Sequence, residues 1–153
     1  MKIPRNVGIM LCFLLVILII GGGSLWGKYQ NARKISVVKD APHIEWMHTN
    51  FDWGTIGQTQ KMNHHFPIRN TGTKPLVISN IRTSCNCITA EILKERISQH
   101  LPTSLEPGEK AILSASFDPE KVNSRGLIKH TVQIEMNDPL LPSLPFRLQT
   151  YIE

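Results

Sequence analysis

Alternation of apolar and polar residues with a period of two dominates this sequence after residue 60. In "GLIKHTVQIEMND", residues 126–138, alternate positions from Ile128 to Met136 share one side, and His130 lies on that side. Successive side chains of a strand point to opposite faces, so this pattern predicts a strand with one buried face. Three more segments show it: "QKMNHHFPIRN" (Met62, His64, Phe66 and Ile68 on one face), "KAILSASFD" (Ala111, Leu113, Ala115 and Phe117) and "LPFRLQTYIE" (Leu144, Phe146, Leu148 and Ile152).

Turn-forming residues separate these segments, as at Asn70-Thr71-Gly72 and Pro107-Gly108-Glu109. The shorter runs "HIEWMH", "PLVISNI" and "CITAEIL" fit strands as well. About seven short strands at such spacing predict an all-β fold, an antiparallel sandwich. Proline has no N–H for a ladder, so Pro67, Pro142 and Pro145 are expected at edges or bulges.

One segment departs from the alternation. In "AEILKERISQHL", residues 90–101, the positions of Ile92, Leu93, Ile97 and Leu101 match helical spacing. We expect the end of a strand followed by a short helix here, inserted before Pro107-Gly108.

The N-terminal part, residues 1–27, has the features of a targeting or membrane segment. Lys2 and Arg5 precede an apolar run at residues 7–26, which is about as long as a spanning helix needs to be. We favour an uncleaved transmembrane signal anchor, with a cleaved signal sequence as the alternative. Residues 28–41 are predicted to be a polar tether, and residues 42–153 one domain.

Net charge excludes one class of partner. The chain carries a formal charge of +5, which falls to +3 once Lys2 and Arg5 are set aside. So weak a field gives no reason to predict nucleic-acid binding. Motifs of common enzyme classes, such as Gly-x-Ser-x-Gly or a phosphate-binding loop, do not occur, so we expect neither a catalytic residue nor a cofactor.

Cys85 and Cys87, in "TSCNCIT", are the candidate site. In an extended strand their Cα atoms would be about 6.5–7 Å apart, at the far limit for a disulfide, so a bond needs a local kink. A buried or disulfide-linked structural pair is the leading interpretation. A redox pair and a Cu(I) site are the alternatives, because two thiolates suit a soft ion.

Further ligands cannot be assigned from the sequence. Met62, His64 and His65 are candidates only if the fold brings them to the cysteines. A zinc site would need four ligands and no second cysteine pair exists, so our main expectation is no metal. His130, on an apolar face, is predicted to be a core or edge histidine.

An ordered series of motifs resembles a known family. "FDWGTI" at 51–56, "NTG" at 70–72, "PLVI" at 75–78, "SCNC" at 84–87, "PGE" at 107–109 and "FD" at 117–118 resemble the bacterial exported family called domain of unknown function 1573. The usual Ser-Cys-Gly-Cys-Thr of that family has Asn86 and Ile88 in place of its glycine and threonine here.

This resemblance implies an immunoglobulin-like sandwich of the Hydin and major-sperm-protein type, exported to the periplasm. It implies no known activity. We therefore expect a non-catalytic binding or scaffolding module of the cell envelope, with an unknown envelope protein as partner and the membrane contacted through residues 7–26. The alternative is a thiol-redox or Cu(I)-binding module that uses Cys85 and Cys87.

Overall fold

The structure is a computed structural model and describes residues 40–153. These residues form ten strands and one 3₁₀ helix, Pro119–Lys121. The strands are β1 (Ile44–Trp46), β2 (Asn50–Ile56), β3 (Met62–Asn70), β4 (Leu76–Thr83), β5 (Ile88–Lys94), β6 (Ile97–Gln99), β7 (Thr103–Leu105), β8 (Lys110–Phe117), β9 (Gly126–Met136) and β10 (Ser143–Ile152).

The strands form two five-stranded sheets. The first sheet has the order β1-β3-β8-β5-β6, and the second has the order β2-β10-β9-β4-β7. The predicted all-β sandwich is confirmed, but the predicted number of about seven strands is too low. The strands that were not predicted are β2, β6 and β7. Strands β6 and β7 have three residues each, too few for a period of two to stand out, and in β2 only Ile56 is buried.

One pairing departs from the predicted antiparallel arrangement. Strand β2 pairs with β10 in parallel, with Asn50 beside Arg147 and Ile56 beside Ile152, whereas all other pairs are antiparallel within residues 40–153. Strand direction follows from how the chain crosses between the sheets, which the alternation within a strand does not encode.

The predicted helix in residues 90–101 is wrong. This segment forms the end of β5, a tight turn and β6, with positive φ at both Glu95 (49°) and Arg96 (70°). Two central residues with positive φ match the right-handed twist of a hairpin. Ile92 is fully buried opposite Leu113 of β8, so pairing within the first sheet overrides a spacing that also fits a helix.

The predicted strand faces agree with the burial of the long strands. In β3, β8, β9 and β10 the apolar positions point between the sheets, and Phe66, Phe117 and Phe146 are almost fully buried there. Phe66 and Phe146, from opposite sheets, have ring centroids 4.8 Å apart. Contact between the two inner faces therefore forms one continuous core.

The prolines lie where their strands lack a second partner. Pro67 pairs with Ile112 of β8, but β1 pairs with β3 only from Ile68 onward. Pro145 similarly pairs with β9 before the pairing with β2 begins at Arg147. Pro142 precedes β10. These positions agree with the expectation of edge-like sites, because no second neighbouring strand lies there to accept a hydrogen bond from the N–H that proline lacks.

Asn70, at the end of β3, links the two sheets. Its side chain is fully buried and donates to the carbonyl oxygens of Lys74 and Leu105, both at 2.8 Å. Its Oδ1 accepts from the backbone N–H groups of Gly72 (2.9 Å) and His43 (3.4 Å). The side-chain amide of Asn70 thus uses both its N–H donors and its carbonyl acceptor. It lies where β3 of the first sheet meets β7 of the second.

The N-terminal end of the described chain packs against the same turn. Asp40 and Ala41, which the sequence analysis placed in the tether, contact it: Thr73 N–H donates to the Ala41 carbonyl at 3.0 Å, and Ala41 is buried. A Cβ on Gly72 would collide with the backbone of residues 41–43. Glycine is needed at position 72 for close approach of two backbones.

The predicted anchor, residues 1–27, and most of the predicted tether lie outside the described residues. Within residues 40–153, no helix has both the length and the apolar character needed to cross a membrane.

The hydrogen bonds of Asn70 generate a stability prediction. Asn70→Ala should lower the free energy of unfolding by about 3 kcal/mol or more, because several buried groups lose partners at about 1–3 kcal/mol each. Asn70→Asp should be at least as damaging, since a carboxylate would face the two carbonyl oxygens. Urea unfolding measures both, with Asn123→Ala, at an exposed asparagine, as the matched control. Equal stability of Asn70→Ala and the control would contradict the role given to Asn70.

Candidate functional site

Cys85 and Cys87 lie in the connection between β4 and β5 and form a disulfide. Their Cα atoms are 5.2 Å apart, closer than in an extended strand. The chain turns at these residues, and β5 begins one residue after Cys87, so the local kink that a bond requires is present. Within residues 40–153, Glu95 and Arg96 are the non-glycine residues with positive φ, so Asn86 adopts this turn without left-handed backbone.

Hydrogen bonds attach this connection to both sheets. Ser84 N–H donates to the Thr131 carbonyl at 2.9 Å, and Thr131 N–H donates to Ser84 Oγ at 3.0 Å, which ties the start of the connection to β9. At the other end, Asp118 N–H donates to the Cys87 carbonyl at 2.9 Å. The connection crosses between the sheets, and its cysteines lie beside residue 130 of β9.

His130 contacts both sulfur atoms. Its Nδ1 lies 3.6 Å from Cys85 Sγ and 3.9 Å from Cys87 Sγ, and its Nε2 lies 3.8 Å from Cys87 Sγ. His130 is 8% exposed, and its ring packs on Phe117, with centroids 4.9 Å apart. His130 is buried, as expected for a core histidine, but no local sequence pattern connects it with the cysteines.

Burial determines the protonation state of this histidine. Desolvation lowers the pKa of His130 below its ordinary value of 6.5, because the charged ring loses water that the interior does not replace. His130 is therefore neutral at pH 7, with one ring nitrogen as a donor and the other as an acceptor. A neutral imidazole can donate a hydrogen bond to sulfur from its N–H or supply a lone pair to a metal ion.

The two cysteine residues differ in exposure. Cys87 is 3% exposed, whereas Cys85 is half-buried. Cys87 and Met62 line one open pocket of about 340 Å³, together with Lys61 and Asp118. Although Cys87 borders this pocket, Cys85 is the more exposed of the two residues, and we expect a soluble reagent to meet Cys85 first.

The arrangement also provides donors of the type that a soft metal ion prefers. One ligand atom from each of Cys85, Cys87 and His130 lies within 4.8 Å of the others. The disulfide removes both thiolates, so these donors exist only in the reduced state. Three donors fall short of the four of a structural zinc site.

The other candidate ligands predicted from the sequence are His64 and His65, which lie elsewhere, and Met62, which lines the same pocket as Cys87. His65 is exposed on the outer face of β3. His64 faces the opposite way and places its Nε2 2.9 Å from the Nε2 of His48. Met62 shares the pocket of Cys87. The candidate site thus consists of the two cysteines and His130, which is 45 positions from Cys85 in the chain.

The lowered pKa of His130 predicts how stability depends on pH. A neutral buried histidine contributes stability that is complete above the unfolded pKa of 6.5 and decreases as pH falls toward its folded pKa. His64, whose pKa is lowered by burial and by His48 and His65, acts in the same direction. The free energy of unfolding should therefore decrease as the pH falls from about 7.5 through the unfolded pKa of 6.5.

Urea unfolding of the oxidised protein with a metal chelator present measures this dependence. His130→Phe should weaken the pH dependence, because one group with a lowered pKa is removed. His100→Phe places the same substitution at an exposed histidine and serves as the control. An unchanged slope in His130→Phe would contradict the assignment of a neutral, buried imidazole.

Comparison with solved structures supports the fold. A protein of unknown function from Porphyromonas gingivalis W83 is 22% identical, with a TM-score of 0.62, over 75% of this chain and 49% of that chain. The PapD-like domain 7 of human CEP192 is 14% identical, with a TM-score of 0.53, over 74% of this chain and 87% of that domain. A family 123 glycoside hydrolase from Clostridium perfringens is 10% identical, with a TM-score of 0.57, over 75% of this chain and 26% of that enzyme.

At these identities the similarity concerns the fold alone. The chain spans about half the length of the Porphyromonas protein. No curated protein sequence matches the chain significantly. The profile of a family described as "Protein of unknown function (DUF1573)" matches residues 44–144, which include nine of the strands and the start of β10. The resemblance inferred from the motifs is thereby confirmed, and the chain belongs to the DUF1573 family.

Proposed function

We propose that this domain is a thiol–disulfide redox module in which Cys85 and Cys87 alternate between disulfide and dithiol. The observation that carries the proposal is the neutral imidazole of His130, within 3.9 Å of both sulfur atoms. A hydrogen-bonding ring beside a disulfide gives the released sulfur a partner at the moment the bond breaks. The scaffolding role and the lack of catalysis expected from the sequence stay predictions.

The exchange begins at the more accessible sulfur. The thiolate of a protein or small-molecule dithiol attacks Cys85 Sγ, a new S–S bond forms there, and the bond between the two cysteines breaks with its electron pair passing to Cys87 Sγ. The second thiol of the donor then attacks the mixed disulfide and releases Cys85. Two electrons and two protons pass to the cysteines, and the donor becomes a disulfide.

His130 acts at the sulfur that leaves. A thiolate at Cys87 would be buried, where an unpaired charge is costly. A ring N–H of His130, within 3.9 Å of that sulfur, donates a hydrogen bond to the leaving thiolate, which then takes its proton from water or from the donor dithiol. The less exposed cysteine is therefore the better leaving group, and Cys85 is the site of attack.

A purely structural role explains the disulfide less well. A bond across one residue closes a very small loop and restricts the unfolded chain little, so its entropic contribution to stability is small. Export, which the N-terminal sequence predicts, would place the pair in an oxidising compartment and favour the disulfide form. These two arguments support a pair kept for exchange.

The proposal predicts reactivity in the folded protein. A soluble dithiol should release both thiols without unfolding the domain, and alkylation followed by mass spectrometry should find Cys85 labelled before Cys87. His130→Phe should slow the release by roughly tenfold or more, because the stabilising ring N–H is lost. His100→Phe is the matched control.

Circular dichroism during the reaction shows whether the fold persists. With the donor supplied in its disulfide form, the Cys85 thiolate of Cys87→Ser should attack it and retain a mixed disulfide, whereas Cys85→Ser should not, which identifies Cys85 as the exchanging sulfur. Thiols that become reactive only after unfolding would contradict the redox proposal and favour simple packing.

A second candidate function, Cu(I) binding, is supported by the three donors within 4.8 Å. Once reduced, Cys85 and Cys87 supply two thiolates and His130 a neutral nitrogen, a set suited to a soft monovalent ion. Competition with a Cu(I) chelator under anaerobic reducing conditions should find one ion per chain. Binding should be lost in Cys85→Ser/Cys87→Ser and absent in the oxidised protein. Equal Cu(I) affinity in the double variant would exclude this function.

A further inference from the structure

His48 and His64 form a second group of potential ligands, apart from the disulfide. His64 lies on the inward face of β3, and His48 lies in the connection that leads from β1 to β2. Their Nε2 atoms are 2.9 Å apart, and both side chains are half-buried. Two nitrogen atoms of the same type therefore point at each other at the margin of the sandwich.

The separation of these nitrogens fits two ligands of one metal ion. Metal–nitrogen bonds to imidazole are about 2.0–2.1 Å long, so a 2.9 Å separation corresponds to an angle of about 90° at the metal. Tetrahedral zinc would hold the nitrogens about 3.3–3.4 Å apart. An angle near 90° is that of neighbouring ligands in square-planar or tetragonal coordination, which Cu(II) and Ni(II) favour.

Surrounding rings hold the two imidazoles in place. The Phe51 ring stacks on His64 with centroids 3.5 Å apart and planes 14° from parallel. Phe66 meets His64 edge to face at 4.6 Å and His48 at 5.3 Å. Because packing already fixes the rings, little side-chain freedom remains to be lost on binding.

The protonation state is also suitable. Burial, with smaller contributions from His48 and His65, lowers the pKa of His64 below its ordinary value. The ring is therefore neutral at pH 7 and has a lone pair available.

We propose that His48 and His64 form a two-histidine site for a divalent transition metal ion, with Cu(II) the preferred ion and water completing its coordination. Imidazole ligands bind Cu(II) more strongly than Ni(II) or Zn(II), in accord with the Irving–Williams order. This site does not depend on Cys85 and Cys87 and is independent of the redox proposal.

The alternative to a metal site is a simple hydrogen bond. A neutral His48 or His64 can donate from Nε2 to the other ring, and this also gives a separation near 2.9 Å. A hydrogen bond alone predicts no affinity for metal ions, so metal titration separates the two interpretations.

The experiment uses the full-length chain without an affinity tag, in mild detergent, with Cys85→Ser/Cys87→Ser to remove sulfur ligands. Calorimetric titration with Cu(II) should show binding of one ion per chain in this background. Adding His48→Ala should abolish it, whereas adding His65→Ala, at the neighbouring exposed histidine, should leave it intact. Electron paramagnetic resonance of the Cu(II) complex should show two equatorial imidazole nitrogens.

Each outcome decides the proposal. Thermal unfolding followed by circular dichroism should show that His48→Ala remains folded. If His48→Ala does not fold, the electron paramagnetic resonance spectrum of Cu(II) bound to the Cys85→Ser/Cys87→Ser protein still shows how many imidazoles are bound. No binding, unchanged binding in His48→Ala, equal loss in His65→Ala, or a spectrum with fewer than two imidazoles would overturn the proposal.

Discussion

The fully buried side chain of Asn70 is the constraint on which one end of the sandwich depends. It donates to carbonyl groups of residues 74 and 105 and accepts from the backbone of residues 43 and 72. No apolar residue could satisfy these groups, and aspartate would repel the carbonyls. Nearby, Asp138 accepts from Ile44 N–H at 2.9 Å and adds a second link between β1 and the second sheet. These two polar side chains connect the two sheets at this end of the sandwich.

A row of aromatic rings connects the two candidate sites. Phe117 contacts His130, Trp53 stacks on Phe117 at 5.8 Å, and Phe51 lies 6.1 Å from Trp53 and stacks on His64. The row joins residues from both sheets. Both histidines consequently lie in packed, partly desolvated surroundings, which lower their pKa values. Packing that stabilises the core also keeps these rings neutral and positions their nitrogens.

Much of this architecture is predictable from the sequence. The strands β3, β8, β9 and β10, and the residues that each buries, follow from alternation, and the turns follow from Asn-Thr-Gly and Pro-Gly sequences. The thiol pair was identified as the candidate site for the same reason, since two cysteines one residue apart are visible locally. The β5–β6 hairpin is misassigned as a helix because Leu93, Ile97 and Leu101 lie four positions apart, a spacing that fits a helical and an extended pattern alike.

The sequence by itself determined the long alternating strands, their inward faces and the family, because these are expressed by residues close together in the chain. Only the tertiary structure decided that β2 runs parallel to β10, that His130 lies against Cys85 and Cys87, and that His48 meets His64. Contacts between residues 16 and 45 positions apart depend on which strands pair and on where the chain crosses between sheets. Those choices minimise the free energy of the whole core, and no local pattern records them.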